Sequence, residues 1–366
     1  MDYKQERRIV MTLDAGGTNF VFSAIAGGEE IVEPFTLPSA PNHIGSCLKN
    51  LTDGFRHIYD LLPEPPVAIS FAFPGPADYE AGIIGDLPNF PAFRGGVALG
   101  PYLQEQFGIP VFINNDGNLF AYGEALTGIL PEINGRLEKA GSAKRYRNLI
   151  GVTLGTGFGA GVVTDGRLLS GDNGTGGDLW CLRNLKYPQF IVEESVSIRA
   201  VKRVYAERSG SLEELTPKDI CRIAEGRLPG DRNAAQAAFA ELGEMAAEAL
   251  SAALTLIDGI VVIGGGLSGA SRYILPAMLD VLNGSIGMMD GSTFGRLQMK
   301  VFNLEDENEF ASFAGCQSRQ IPVPGSGRKV LYDPFKRTGI AVTHQGTSRS
   351  ISLGAYVYAL NRLDNR

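Results

Sequence analysis

Ile9-Val-Met-Thr-Leu-Asp14-Ala-Gly-Gly-Thr18 is an apolar run that ends in a glycine turn, and the chain repeats that device twice more. Gly155-Thr-Gly-Phe-Gly159 follows Leu149 to Leu154, and Gly264-Gly-Gly266 follows Ile260 to Ile263. Glycine has no Cβ, so it turns with positive φ and lets main-chain N–H groups approach an anion closely, which suits such loops to cradling phosphate. Three of them, spread across the chain, point to a nucleotide held between two lobes.

The 366 residues are 44% hydrophobic and 20% charged, an ordinary globular composition long enough for two domains with their own cores. A formal net charge of −7 gives no compositional support to a non-specific nucleic-acid surface. Cys47, Cys181, Cys221 and Cys316 are far apart, with no C-x-x-C pair, and only His43, His57 and His344 could join them. That pattern encodes neither a disulfide framework nor a zinc cluster, and is read as buried free thiols in a reducing cytoplasm. No apolar run approaches the roughly 20 residues of a membrane span, and the N-terminus has no signal core. A cytoplasmic enzyme is expected, without nucleic-acid or membrane partners.

Around the first two glycine runs the pattern is strand, turn, strand, turn, strand: Val10 to Leu13, Phe20 to Ile25 and Glu30 to Phe35, then Ile150 to Leu154, Ala160 to Val163 and Arg167 to Leu169. Two such meanders read as the starts of related lobes. Between them, Ser46 to Leu61 has helical spacing, Val67 to Phe73 reads as a strand, Tyr102 to Phe107 as a helix, Pro110 to Ile113 as a buried strand and Gly117 to Leu126 as a helix. Strands and helices in alternation indicate an α/β fold. Asn114-Asn115-Asp116 therefore falls where a strand becomes a helix. In the second half, Ala234 to Ile257 reads as a long Ala-rich helix with Phe239, Leu242, Ala246, Ala249, Ala253 and Leu256 on its apolar side. Gly264-Gly-Gly-Leu-Ser-Gly269 also fits a dinucleotide-binding string, but it lacks the following βαβ unit and a ribose-binding acid.

Taken in order, Asp14-Ala-Gly-Gly-Thr18, Phe73-Pro-Gly-Pro-Ala-Asp78, Leu87-Pro-Asn89, Asn115-Asp116-Gly-Asn118, Leu154-Gly-Thr-Gly-Phe-Gly159 and Val262-Ile-Gly-Gly-Gly266 resemble the motifs of the ROK sugar kinases. The resemblance covers most of residues 9 to 275, and Leu353-Gly-Ala355 resembles that family's closing helix. It implies an α/β, two-lobed actin-like ATPase (ribonuclease H-like) fold, with a mixed sheet flanked by helices in each lobe. Residues 1–117 with 350–366 are expected to form the N-terminal lobe and 118–349 the C-terminal lobe, the latter carrying insertions at 131–148 and 303–349.

The implied activity is ATP-dependent phosphorylation of a hexose or N-acetylhexosamine. Such chemistry needs a carboxylate to orient the attacking hydroxyl and take its proton. The resemblance gives that role to Asp116, although an Asp at a strand-to-helix junction also suits an N-cap. Gly75, Asn89 and Asn115 are implied sugar contacts, and Asp14 is implied to hold Mg²⁺ through water while Gly16, Gly17 and Thr18 approach the γ-phosphate. Thr156 and Gly157 match the second phosphate loop, and Gly264, Gly265 and Gly266 the border of the adenosine. ATP and Mg²⁺ are the expected cofactors, sugar and ATP the expected partners.

At the sugar end the chain departs from the family. Where ROK kinases carry Gly-Glu-x-Gly-His and then a cysteine-rich zinc loop, the sequence here is Gly177-Asp178-Leu-Trp-Cys181 and the zinc cysteines are absent, so no zinc site is expected. The resemblance puts the two sugar-binding glutamates at Asp178 and Glu193, with Glu194 a close competitor, and both Glu193 and Glu194 equally suit the first turn of a helix from Ser195 to Arg208. The shorter Asp178 leaves room near C1 and C2 of a sugar and predicts a poor fit for glucose. The charge run 131–148 is read as a solvated surface insertion. Residues 303–349, with acidic Glu305 to Glu309 and a hairpin from Arg328 to His344, are read as an elaboration of the second lobe or as the contact of a homodimer. A non-catalytic sugar-sensing regulator acting through a protein partner is the alternative function.

Overall fold

A computed structural model describes residues 3–87, 90–315 and 318–365. The chain forms two compact units, Met1–Gly128 with Ala160–Gly177 and Thr343–Arg366, and Ile129–Gly159 with Asp178–Val342. The first begins with strands β1 (Val10–Ala15), β2 (Asn19–Ala26), β3 (Glu29–Glu30) and β4 (Phe35–Pro38), followed by helix α1 (Ile44–Leu61) and strand β5 (Ala68–Ala72). After β6 (Ala77–Asp78) and β7 (Ile83–Ile84) come α2 (Leu99–Phe107), β8 (Val111–Asn114) and α3 (Asp116–Leu126). The chain enters the second unit with α4 (Ile129–Lys139) and β9 (Leu149–Leu154), and returns along β10 (Phe158–Thr164) and β11 (Arg167–Leu168). It goes back for α5 (Ile198–Ser209), α6 (Pro217–Ala224), α7 (Arg232–Ile257), β12 (Ile260–Gly264), α8 (Ser271–Leu282), β13 (Ser285–Gly287), β14 (Thr293–Gly295) and β15 (Lys300–Asn303). Then follow α9 (Glu307–Ala314), β16 (Arg319–Pro322), β17 (Lys329–Tyr332) and β18 (Arg337–Val342), before α10 (Thr347–Asp364) closes the first unit.

In the first unit the strand order is β3-β2-β1-β5-β8, with β4 also on β2. The hairpin β1–β2 is antiparallel, with Thr12 opposite Ser23 and Asp14 opposite Val21, whereas β1, β5 and β8 run parallel. Apolar runs buried on both faces suit such central strands. Helix α1 turns Cys47, Leu51, Phe55 and Ile58 inward at three- and four-residue spacing onto Phe22 and Phe71. Helices α3 and α10 pack through paired glycines. A Cβ on Gly354 would lie 1.9 Å from the Leu119 carbonyl oxygen, and one on Gly123 2.0 Å from that of Ser350, so only glycine permits this approach. That packing explains why residues 118–128 group with the first unit and not with the second lobe expected of them. Fully buried Glu124 reinforces it by accepting from the hydroxyls of Ser350, at 2.5 Å, and Thr343.

The sheet strands wholly within the second unit follow the order β9-β12-β18-β15, all parallel. Helix α7 starts at an Asp231 cap that accepts from Ala234 N–H at 2.9 Å. Its inward residues are as expected apart from Leu256, the penultimate residue of the helix, which is 82% exposed. Four other expectations are corrected here. The run 131–148 is docked: α4 buries Ile129, Leu130, Ile133 and Leu137, Arg136 stacks 3.6 Å from the Phe310 ring, and Tyr146 donates to the Arg337 carbonyl at 2.7 Å. The span 303–349 contributes buried β18 to the middle of the sheet, so it is core and not decoration. The hairpin is β16–β17, with Arg319 opposite Tyr332, and Asp333-Pro334 leads out of it into β18. The helix expected from Ser195 is a 3₁₀ turn, Val192–Ser195, followed by α5, because Ser197 is extended at φ −160° and the helix starts only after it. Of the cysteines, Cys47 is buried, Cys221 half-buried and Cys181 exposed, while Cys316 lies outside the described residues.

Candidate active site

Within the first unit, the carboxyl ends of three parallel strands put the implied residues on one edge of the sheet. Asp14 is the penultimate residue of β1, Phe73 to Gly75 follow β5, and Asn115-Asp116 follow β8, with Ala72 in register with Asn114. Ligands of open α/β sheets bind beyond this edge. The Gly16 to Thr18 turn is held from behind by buried Ser39, whose hydroxyl donates to the Gly17 carbonyl at 2.6 Å and whose N–H donates to that of Thr18 at 2.9 Å. The Gly75 turn is closed by Tyr79, which donates to the Phe73 carbonyl at 3.0 Å. Asn89 lies outside the described residues.

At the β8–α3 junction the cap is Asn115, whose Oδ1 accepts from Gly117 N–H at 2.8 Å and Asn118 N–H at 3.4 Å. Its Nδ2 is left as the donor for a ligand. Asp116 is the first helical residue, and its Oδ1 also accepts from Gly117 N–H at 2.8 Å. The residue is exposed, yet desolvation by surrounding protein atoms pushes its carboxyl above the usual carboxylate range, against the pull of the amide bonds. Asn114 and Asn118 brace the junction through a 3.0 Å side-chain bond.

Within the second unit, β9 and β12 are paired with Thr153 opposite Gly264, which sets the second and third glycine runs side by side. Gly265 has φ +86°, and a Cβ there would meet the Leu154 carbonyl oxygen at 2.3 Å. The second run is fastened to the segment 193–199. Glu193 Oε2 accepts from Phe158 N–H at 3.0 Å and lies 2.6 Å from where a Cβ of Gly157 would stand, while Ile198 N–H donates to the Gly155 carbonyl at 2.8 Å. Glu193 thus meets the phosphate-type loop, and Glu194 pairs with Arg199. Asp178 opens a loop that folds back on itself through Val192 N–H to Leu182 O at 2.7 Å and Asn184 Nδ2 to Ser195 Oγ at 2.8 Å. Desolvation raises the Asp178 carboxyl, opposed by a bond from Trp180. Cys181 donates its thiol to the Asp178 carbonyl at 3.0 Å. Ser39 and Arg199 were missed from sequence. Ser39 gives no signal beyond a small polar residue before a turn, but Arg199, a cation in the first turn of a helix, breaks a local rule that could have marked it.

A family model described as ROK family matches residues 10–286. A glucokinase of Thermotoga maritima is 31% identical over 168 residues, 46% of this chain and 48% of that relative. The chain thus spans about half the length of the first curated relatives it matches. A crystal structure of a glucokinase from Parabacteroides distasonis is 65% identical with a TM-score of 0.91, covering 99% of each chain. A ROK family glucokinase from Streptomyces griseus, in complex with glucose and AMPPNP, is 16% identical with a TM-score of 0.60, covering 95% of this chain and 98% of that one. The fold is the two-lobed actin-like ATPase fold that the motifs implied.

Proposed function

The chain belongs to the ROK family, and from that premise we propose that it is an ATP-dependent sugar kinase acting on a hydroxyl of a hexose or N-acetylhexosamine. The observation that carries the reading is the division of labour at the β8–α3 junction. Asn115 takes the Asn118 N–H and shares that of Gly117 with Asp116 Oδ1, which leaves Oδ2 of the exposed, desolvated Asp116 carboxylate for chemistry. In this role Asp116 orients the attacking hydroxyl and takes its proton as the new O–P bond forms and ADP departs. A carboxylate whose pKa is raised is a stronger base than an ordinary aspartate. In the first unit, Asn115 Nδ2 and the Gly75 turn, with Asn89, take the role of sugar contacts, and in the second unit Asp178 and Glu193 carry the same proposed role.

The glycine turns fit a nucleotide because Cβ-free positions leave backbone N–H groups approachable, and exposed Asp14 beside Gly16, Gly17 and Thr18 suits a hydrated cation. Magnesium-bound ATP supplies the phosphoryl group. Thr156 and Gly157 contact its phosphates, and Gly264, Gly265 and Gly266 border the adenosine. The names of relatives place glucose and N-acetylglucosamine first among substrates to try. The test is Asp116→Asn. It is expected to lower kcat by roughly 10²- to 10⁴-fold on the best sugar, the range for losing a general base. Near-normal turnover by the folded variant would contradict the assignment.

A further inference from the structure

Arg199 sits at the second position of α5, where a cation opposes the helix dipole, and the acids that offset it lie in the preceding 3₁₀ turn. Its guanidinium makes three different attachments. Nη2 donates to Glu193 at 2.9 Å and to Glu194 at 2.7 Å, and Nη1 donates to the Thr156 carbonyl at 3.3 Å. The Arg199 side chain is 45% exposed, and exposed ion pairs add little to stability, so fold stability does not account for this arrangement. Its geometry does. The planar fork reaches a backbone oxygen of the glycine loop and the Glu193 carboxylate at once, while the other Glu193 oxygen holds Phe158 N–H of the same loop. Gly155 is meanwhile fixed by Ile198 N–H, which stands in for the capping bond that the Ser197 side chain does not make.

We propose that Arg199 is a positioning residue that joins Glu193 and the Gly155–Phe158 loop into one rigid unit and so couples sugar binding to nucleotide binding. The proposal rests on the reading of Glu193 as a sugar contact and of Thr156 and Gly157 as a phosphate contact. A ligand that orders either end then finds the other already ordered, which is positive coupling carried by one side chain. Lysine cannot replace it, because an ammonium is a point charge without a fork.

The experiment uses the full chain as wild type, Arg199→Ala and Arg199→Lys. Sugar dissociation constants are measured by calorimetry with and without saturating AMPPNP, alongside KM for sugar and ATP, melting temperature, and hydrogen exchange of the Phe158 amide. In the wild type AMPPNP is expected to tighten sugar binding about fivefold or more, within the usual range of allosteric coupling. In Arg199→Ala the factor falls to about one and the sugar KM rises about tenfold, with kcat less affected and melting little changed. Phe158 exchanges faster, and Arg199→Lys recovers only part of the coupling. Unchanged coupling and unchanged Phe158 exchange in Arg199→Ala, or full rescue by lysine, would overturn the proposal while leaving the kinase reading intact. A wild type that binds no sugar would instead remove the kinase reading and the coupling claim with it.

Discussion

Desolvation holds the Asp116 carboxyl above the usual carboxylate range even though the α3 N-terminus and the Gly117 N–H favour its ionised form. The raised value means that the folded state binds this proton more tightly than the unfolded chain, so the group's contribution to stability is present at low pH and is lost as pH rises through the folded pKa. At neutral pH, Asp116→Asn should therefore melt no lower than the wild type. Any gain should shrink as pH falls below the usual carboxylate range, where both carry a neutral side chain. The acid limb of the wild-type kcat/KM profile should lie above that range, since the base works only when ionised. Melting curves and rates across pH check both statements; a destabilised Asp116→Asn protein at neutral pH would show that the carboxylate serves the helix. The place of Asp116 at a strand-to-helix junction was legible in the sequence because an apolar run ends there and a helical periodicity begins. Which of the two residues caps the helix was not legible, since Asn and Asp are equally good caps and only the backbone decides between them.

Helices and strands followed the sequence where glycines and apolar runs punctuate it. The runs before Asp14, Gly155 and Gly264 became β1, β9 and β12, and the Ser46 to Leu61 periodicity became α1 with two residues added. The reading failed at β18, whose first residue is a buried arginine. Arg337 is only 3% exposed and donates to the Phe313 carbonyl at 2.6 Å and to Asp333 at 3.0 Å, so a charged residue that looks like a hairpin flank is the start of a central strand. Asp333 lies within one turn of sequence, but the Phe313 carbonyl comes from 24 residues away, and no local pattern announces that a buried cation will find it. The α3–α10 contact was equally hidden, because paired glycines signal close approach only once both helices are placed. It predicts that Gly354→Ala, an otherwise helix-favouring change, costs about 1–3 kcal/mol or more in a denaturant titration, from overlap with the Leu119 carbonyl. Unchanged or increased stability would mean that the helices stand further apart.

For the molecule as a whole, family membership, two six-stranded sheets and three glycine turns support the proposed phosphoryl transfer to a sugar. The chain's departures at Asp178 and Cys181 bear on which sugar, and its missing zinc cysteines bear on how the 178–193 loop is held. That loop is closed by the Val192–Leu182 backbone bond and the Asn184–Ser195 contact. The most direct test follows ADP and sugar phosphate together, by phosphorus NMR, over glucose, mannose, N-acetylglucosamine and N-acetylmannosamine, with and without a chelator of divalent cations. The account predicts that at least one sugar gives one sugar phosphate per ADP, and that chelation stops the reaction while leaving the melting temperature unchanged. ATP hydrolysis that ignores every sugar, or sugar binding with no phosphate transferred in the presence of magnesium, would contradict it.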